Sequence, residues 1–276
     1  MKNTTQTNKE VFYISGLPRS GSTLLTSLLA QNESFYCSPT SGVRDMIELV
    51  KNNWNANEHF QASFEIESID NMLYSMMQGY YSNKKEEVIF DKNRGWLGSM
   101  KLAEALAKGN LKVIVTVRDI VDVLSSFEKL YRKNGHNFML PQAKQNPAQF
   151  NTLAGRCENW VSSEGLVGSC YVRILEALKT GYESNILFVD YSNLTVDPEG
   201  ELKRIYEFLG KEWKDNVHYY KDVKSNTHEY EIARGFPQSL HDVGIDVKPQ
   251  KSDAPIILGD ELFEKYSNSE FWKKYI

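Results

Sequence analysis

The chain has 276 residues, 41% of them hydrophobic and 25% charged, and its 32 basic against 36 acidic side chains leave a formal charge of −4. With a mean hydropathy of −0.47, this is the composition of a globular chain with material for a sizeable core, and it excludes an intrinsically disordered one. No apolar run approaches the ~20 residues that span a bilayer. Three cysteines, Cys37, Cys157 and Cys170, are too few and odd in number for a disulfide framework. No Cys/His cluster announces a metal, so no metal is expected. The acidic total argues against non-specific nucleic-acid binding, and no membrane partner is expected. The opening MKNTTQTNKE is polar and lacks the apolar stretch of a signal peptide. Residues 1–10 are expected to be a flexible terminus and the setting cytoplasmic.

Three apolar runs rich in β-branched and aromatic residues predict strands at Val11–Ser15, Leu111–Val117 and Ile186–Asp190, with a weaker fourth at Val88–Phe90. They do not alternate with polar residues, as expected of strands covered on both faces of a parallel sheet. A helical pattern follows each: Ser22–Gln31, Leu97–Lys108, Asp119–Lys133 and Pro198–Leu209. The last has Asp197 as N-cap, Pro198 at the first position and Gly210 as stop, a start and end with a physical reason. Strand–helix units over most of the chain predict a single α/β domain, a three-layer sandwich around a mainly parallel sheet. Two stretches, Lys51–Gln61 and Asn134–Asn151, read as surface excursions.

The segment Gly16-Leu17-Pro18-Arg19-Ser20-Gly21-Ser22-Thr23 lies between the first strand and its helix. Its two glycines bracket four residues, the spacing of a loop whose backbone N–H groups converge on a phosphate. The nucleotide-hydrolysing form of that loop needs Lys after the second glycine. Ser22 stands there, and the loop's cation is Arg19. That suits a single phosphate with an anionic neighbour better than a triphosphate.

GLPRSGSTLL resembles the 5′-phosphosulfate loop of the sulfotransferases that use 3′-phosphoadenosine 5′-phosphosulfate (PAPS). The resemblance implies the P-loop-like sulfotransferase fold. It also implies PAPS as co-substrate, with Pro18, Arg19, Ser20, Gly21, Ser22 and Thr23 around the 5′ side. VIVTVRDIVDVLSS is similar to the family's 3′-phosphate segment, with Arg118 ending a strand and Ser126 eight residues on. A forked guanidinium and a hydroxyl make a sound phosphate site, and Asp122 shares their helix face. FVDYSNLTVDPEGELKRIYEFLG resembles the segment whose tyrosine meets adenine, here Tyr191, although Ser192 and Asn193 replace the family's acidic pair.

On the acceptor side the resemblance implies Lys92, in VIFDKNRGW, beside the sulfuryl group. Gln238–Pro249 is similar to the tyrosylprotein sulfotransferase branch, which implies Ser239 near the sulfuryl group and Lys248 on the nucleotide. That branch's catalytic glutamate has no counterpart in CSPTSGVRDMIEL. Asp45 and His59 are the candidate bases. Tyr36, Trp54, Phe60, Trp96 and Phe138 are candidate walls of an acceptor pocket. The expected reaction is sulfuryl transfer to a small-molecule or peptide hydroxyl, or an amine. A P-loop kinase of a small metabolite and a non-catalytic binder of adenosine 3′,5′-bisphosphate are the alternatives.

Overall fold

The structure, a computed structural model, describes residues 8–54, 56–62, 65–134, 147–223 and 246–276. In chain order the elements are β1 (Glu10–Gly16), α1 (Ser22–Leu29), β2 (Phe35–Cys37), α2 (Val43–Trp54), α3 (Glu58–Ala62), α4 (Ile66–Tyr80) and β3 (Val88–Lys92). They continue with α5 (Met100–Ala107), β4 (Val113–Val117), α6 (Ile120–Asn134), α7 (Pro147–Phe150), α8 (Leu153–Val161) and α9 (Gly168–Lys179). The last are β5 (Ile186–Asp190), α10 (Tyr191–Val196), α11 (Pro198–Leu209), α12 (Ala254–Leu258) and α13 (Asp260–Tyr266).

The strands form one parallel sheet in the order β2-β3-β1-β4-β5. Successive side chains point to opposite faces of a strand, and both faces of this sheet are buried. Phe12, Ile14, Phe90 and Ile114 pack with Leu25 and Leu28 of α1 and Leu202 and Ile205 of α11. Tyr13, Ile89, Val113, Val115 and Val117 pack on the other side with residues of α2, α4, α5, α6 and α9. That is the expected α/β sandwich. From β1 the chain moves to one side of the sheet and from β4 to the other, so β1 and β4 flank a topological switch point. Ligands of open α/β sheets bind in the crevice at such a point, beyond the strands' C-terminal ends.

The four expected strands are present, the second shortened to Val113–Val117. The three-residue β2 is too short for periodicity to reveal. Lys51–Gln61 is no plain excursion, because it carries the end of α2 and the start of α3. The second excursion overlaps 135–146, outside the described residues, and Pro147 opens α7 in the manner of a first-turn proline. Arg156 ties α8 to α6, with Nε and Nη2 donating to buried Glu128 at 2.9 and 2.8 Å. Cys37, Cys157 and Cys170 are buried.

His218 fastens the segment after α11 to α1. Its Nδ1 lies 2.8 Å from Leu28 O, a pure acceptor, so Nδ1 carries the proton. Its Nε2 therefore accepts from the Tyr206 hydroxyl at 2.8 Å, and that hydroxyl accepts from Asn32 Nδ2 at 2.9 Å. Burial pushes the His218 pKa below its usual value, against a smaller opposing effect of the Leu28 carbonyl. The folded state thus binds a proton less readily than the unfolded chain. This contribution to stability is whole above an unfolded His pKa of about 6.5 and declines as the pH falls through the lower folded value. Denaturant titrations from pH 7 to pH 5 should show falling stability, with a shallower slope in His218→Phe from a lower starting point; an unchanged slope refutes the assignment.

Candidate functional site

Four strands carry a buried polar residue in the last or next-to-last position at the switch-point end: Ser15 of β1, Asp91 of β3, Thr116 of β4 and Asp190 of β5. Each holds a piece of loop. Gly16 leaves β1 with φ +129 and passes so close to β4 that an added Cβ would lie 2.1 Å from Thr116 O. Leu17 N donates to Thr116 O at 2.9 Å. Ser20 Oγ lies 2.6 Å from Leu17 O and 2.7 Å from Thr116 Oγ1. Ser20 donates to the Leu17 carbonyl and shares a hydrogen bond with the Thr116 hydroxyl. The Ser20 side chain therefore faces inward and braces the loop, which leaves Ser20 only its backbone for an anion.

Arg19 adopts φ +60 and Gly21 φ +84, a turn back into α1. Gly21 sits at the N-cap of α1 in the left-handed region and supplies no side-chain cap. Helix amides without a side-chain partner at the end of such a loop form an anion site. Thr23, in the first turn, accepts from Lys92 Nζ at 3.3 Å, so the end of β3 delivers a cation to the N-terminus of α1. Ser22 stands beside it, half-buried.

Beyond β4 the chain enters α6 through Arg118. Its side chain is 16% exposed and lies across the Tyr191 ring, 4.3 Å from the centroid. Nη1 reaches Arg19 O at 3.4 Å. Buried Nε has no hydrogen-bond partner, the nearest carboxylate oxygen being Asp122 Oδ2 at 3.7 Å. A buried guanidinium N–H without an acceptor is costly, and one phosphate oxygen would satisfy it. Ser126 Oγ accepts from Arg19 Nε at 3.0 Å and keeps its own proton to donate. Tyr191 fits between Arg118 and the loop, since a Cβ on Gly21 would lie 2.5 Å from Tyr191 Cδ2. Asp190 fixes it there by accepting from Ser192 N at 2.8 Å. A backbone amide makes that bond, so Ser192 serves as well as an acidic residue.

The loop, Arg118, Ser126, Tyr191 and Lys92 thus converge. The acceptor-side expectations divide. Asp45, in the first turn of α2, accepts from Arg44 Nη1 at 2.8 Å and from Asn93 Nδ2 at 3.2 Å, next to Lys92. It is 58% exposed. His59 lies exposed on α3. Trp96 lines no pocket; it is buried, its Nε1 donating to Asp91 at 2.7 Å. Trp54 and Phe60 stack on each other at 4.3 Å, and Tyr36 packs on Tyr81 in the core margin. Lys248 is exposed. Ser239 and Phe138 fall outside the described residues. Thr116, Asn93 and Asp91 escaped the sequence reading. Their signal, one polar residue ending or just following an apolar strand, was available.

The sequence-family model described as Sulfotransferase domain matches residues 9–230, four-fifths of the chain and every described feature of the site except Lys248. The chain belongs to the sulfotransferase family. Protein-tyrosine sulfotransferase A of Caenorhabditis elegans is 24% identical over 246 residues, covering 85% of this chain and 59% of that protein. Sulfotransferase 1A1 of Rattus norvegicus is 27% identical over 132 residues, 45% of this chain and 42% of that one. The chain thus spans about three-fifths or less of the length of these curated relatives. A solved sulfotransferase domain from the curacin biosynthetic pathway shares 18% identity and superposes with a TM-score of 0.52, over 92% of this chain and 97% of that one. That likeness concerns the fold. Family membership does not favour the kinase or the non-catalytic binder. Among the described residues no group of three or more His, Cys, Asp or Glu could hold a metal, and no helix is long and apolar enough to cross a membrane.

The sulfotransferase loop has no room for a side chain at Gly16. Gly16→Ala should lower the unfolding free energy by more than about 3 kcal/mol, through backbone collision and positive φ. Gly21→Ala shares the positive-φ strain but collides only with the movable Tyr191 ring and should cost less; equal losses in urea titrations would contradict this account.

Proposed function

We propose that the chain is one PAPS-dependent sulfotransferase domain that moves a sulfuryl group to a hydroxyl or amine acceptor. The observation that carries the reading is the buried Arg118 Nε without a hydrogen-bond partner, on a side chain whose Nη1 reaches the glycine loop at Arg19 O, just before the uncapped start of α1. Two anionic groups of one nucleotide meet that arrangement. Glycine-loop and first-turn amides with Thr23 take the 5′ side, Arg118 and Ser126 the 3′-phosphate, and Tyr191 the base. Lys248, from the C-terminal segment, adds a further cation. Residues 9–230 match the family and one sheet underlies all of these groups, which supports a single domain.

In the reaction the acceptor oxygen attacks sulfur in line with the bond to the 5′-phosphate. That S–O bond breaks, and adenosine 3′,5′-bisphosphate leaves. Lys92, held at the start of α1 by Thr23, and Arg19 stabilise charge on the sulfuryl and leaving oxygens. The acceptor's proton needs a base. Asp45 suits that role better than His59, because Asn93, the residue after Lys92, donates to its carboxylate. Each carboxylate oxygen has a lone pair beyond its existing hydrogen bond. Ser239 keeps its proposed place near the sulfuryl group by resemblance.

Calorimetry with adenosine 3′,5′-bisphosphate tests the donor side. The chain should bind it more tightly than ATP, and Arg118→Ala should weaken it about 10- to 100-fold, as loss of a charged hydrogen-bonding group does. Tighter binding of ATP overturns the reading. With labelled PAPS and an acceptor library, Asp45→Asn should lower kcat by about 10²–10⁴ while bisphosphate affinity holds. Arg19→Ala should lower turnover more than affinity. If His59→Ala instead abolishes turnover, the base is assigned wrongly.

A further inference from the structure

The chain that returns after residue 245 crosses the sheet. Val247 packs against the hydrophobic cluster of α1 and α11, and its N–H donates to Tyr220 O at 2.8 Å. Six residues later Asp253 has reached α6, on the opposite face, and Ala254 and Leu258 are buried in that face's cluster. Its landing place on α6 is specific. Ser252 Oγ donates to Asp122 Oδ1. Asp253 Oδ1 accepts from Ser125 Oγ at 2.7 Å, and Oδ2 from Lys129 Nζ at 2.7 Å. Asp122 lies in the first turn of α6, just beyond the C-terminal end of β4. The crossing therefore runs over the end of the sheet that carries Arg118 and Tyr191, and it attaches beside them.

The two ends are held differently. Downstream, Ala254 and Leu258 fix α12 by burial. Upstream, Val247 packs on the other face's cluster, and just before α12 the polar contacts of Ser252 and Asp253 hold the chain, the Lys129–Asp253 pair being half exposed. Asp122 joins both systems, since its other oxygen lies 3.7 Å from Arg118 Nε. On the crossing itself sits Lys248, followed by Pro249, whose ring keeps the preceding residue extended.

We propose that Ser252 and Asp253 are positioning residues: by buckling the 247–253 strap to Asp122, Ser125 and Lys129, they hold Lys248 over the phosphate site of Arg118 and Ser126. The inference rests on the PAPS reading above. Lys248 supplies the charge, and the buckle fixes where that charge stands. Without the buckle the strap stays attached at Val247 and through α12, and the residues between, Lys248 among them, lose their fixed path over the crevice.

A double-mutant cycle read by calorimetry with adenosine 3′,5′-bisphosphate tests this. Asp253→Ala and Lys248→Ala should each weaken binding about five- to tenfold, and the double variant should be no weaker than either alone. Ser252→Ala, which removes one hydroxyl, should give a smaller loss in the same direction. In turnover the PAPS KM should rise for Asp253→Ala and Ser252→Ala, with kcat kept within about twofold. A merely structural buckle would lower the thermal midpoint and leave the bisphosphate affinity unchanged, which overturns the proposal. Additive losses in the double variant overturn it too. If the unsubstituted chain fails to bind the bisphosphate, the nucleotide reading falls and the strap's role with it. If Arg118→Ala weakens binding and Asp253→Ala does not, only the strap's role falls.

Discussion

The site depends on how closely β1 and β4 approach where the chain leaves the sheet. Gly16 passes Thr116 with no space for a methyl group, and Leu17 N and Ser20 Oγ complete the join to the same residue. Hydrogen bonds of this kind cost little to make and much to leave unmade once buried. The loop therefore has one arrangement compatible with a closed sheet. Its curl places Arg19 and Gly21 in the left-handed region and turns α1 to face the crevice. Nothing about the ligand is needed to shape this cradle, because the packing of two strands already does so.

The same logic extends along the sheet. An all-parallel sheet buried on both faces has apolar strand interiors, so polar side chains gather at its C-terminal ends, where loops supply their partners. Asp91 meets Tyr81 and Trp96, and Asp190 caps the turn that presents Tyr191. Burial raises the pKa of the Asp91 carboxyl, against the pull of its hydrogen-bond donors. These groups do not touch the proposed reaction. Their effect is to stiffen the loops that carry Lys92, Arg118 and Tyr191, so that the cations stand fixed before an anion arrives. Preorganised charge is what makes such a site effective against a charge that develops during reaction. The net charge of −4 is thus a poor guide to a crevice where Arg19, Lys92 and Arg118 converge.

The proposed nucleotide half of the site follows from sequence motifs, and the proposed acceptor half does not. Gly16, Arg118 and Tyr191 lie at a strand end or one residue beyond it, Gly21 closes the loop after β1 and Ser126 lies on the helix after β4; strand ends are what apolar runs reveal. Thr116 could not be singled out as the partner of Ser20, because that contact joins residues 96 apart in sequence. Trp96 misled for a related reason: an aromatic just beyond a strand reads as exposed loop, while a buried Asp91 five residues earlier draws it into the core. The α4 helix was readable in principle, with Ile69, Leu73, Met76 and Met77 on one face. Its apolar residues are spaced without the strand-and-glycine punctuation that marked the other units.

The acceptor side resists sequence reading for a physical reason. Lys92 and Asn93 extend a buried strand, and their reach is fixed by the sheet. Asp45, at 58% exposure, takes its place from Arg44 and Asn93 through exposed or half-exposed contacts. Exposed ion pairs contribute only ~0–1 kcal/mol, so they orient a carboxylate without strongly constraining which residues surround it. Met46 and Leu49, on the same helix, stand more than half exposed, where little in the fold dictates their identity. On the proposed reading donor binding is written into strand packing, which tolerates few sequences. Acceptor choice falls to helix surface and loops, where many sequences give the same fold and different chemistry.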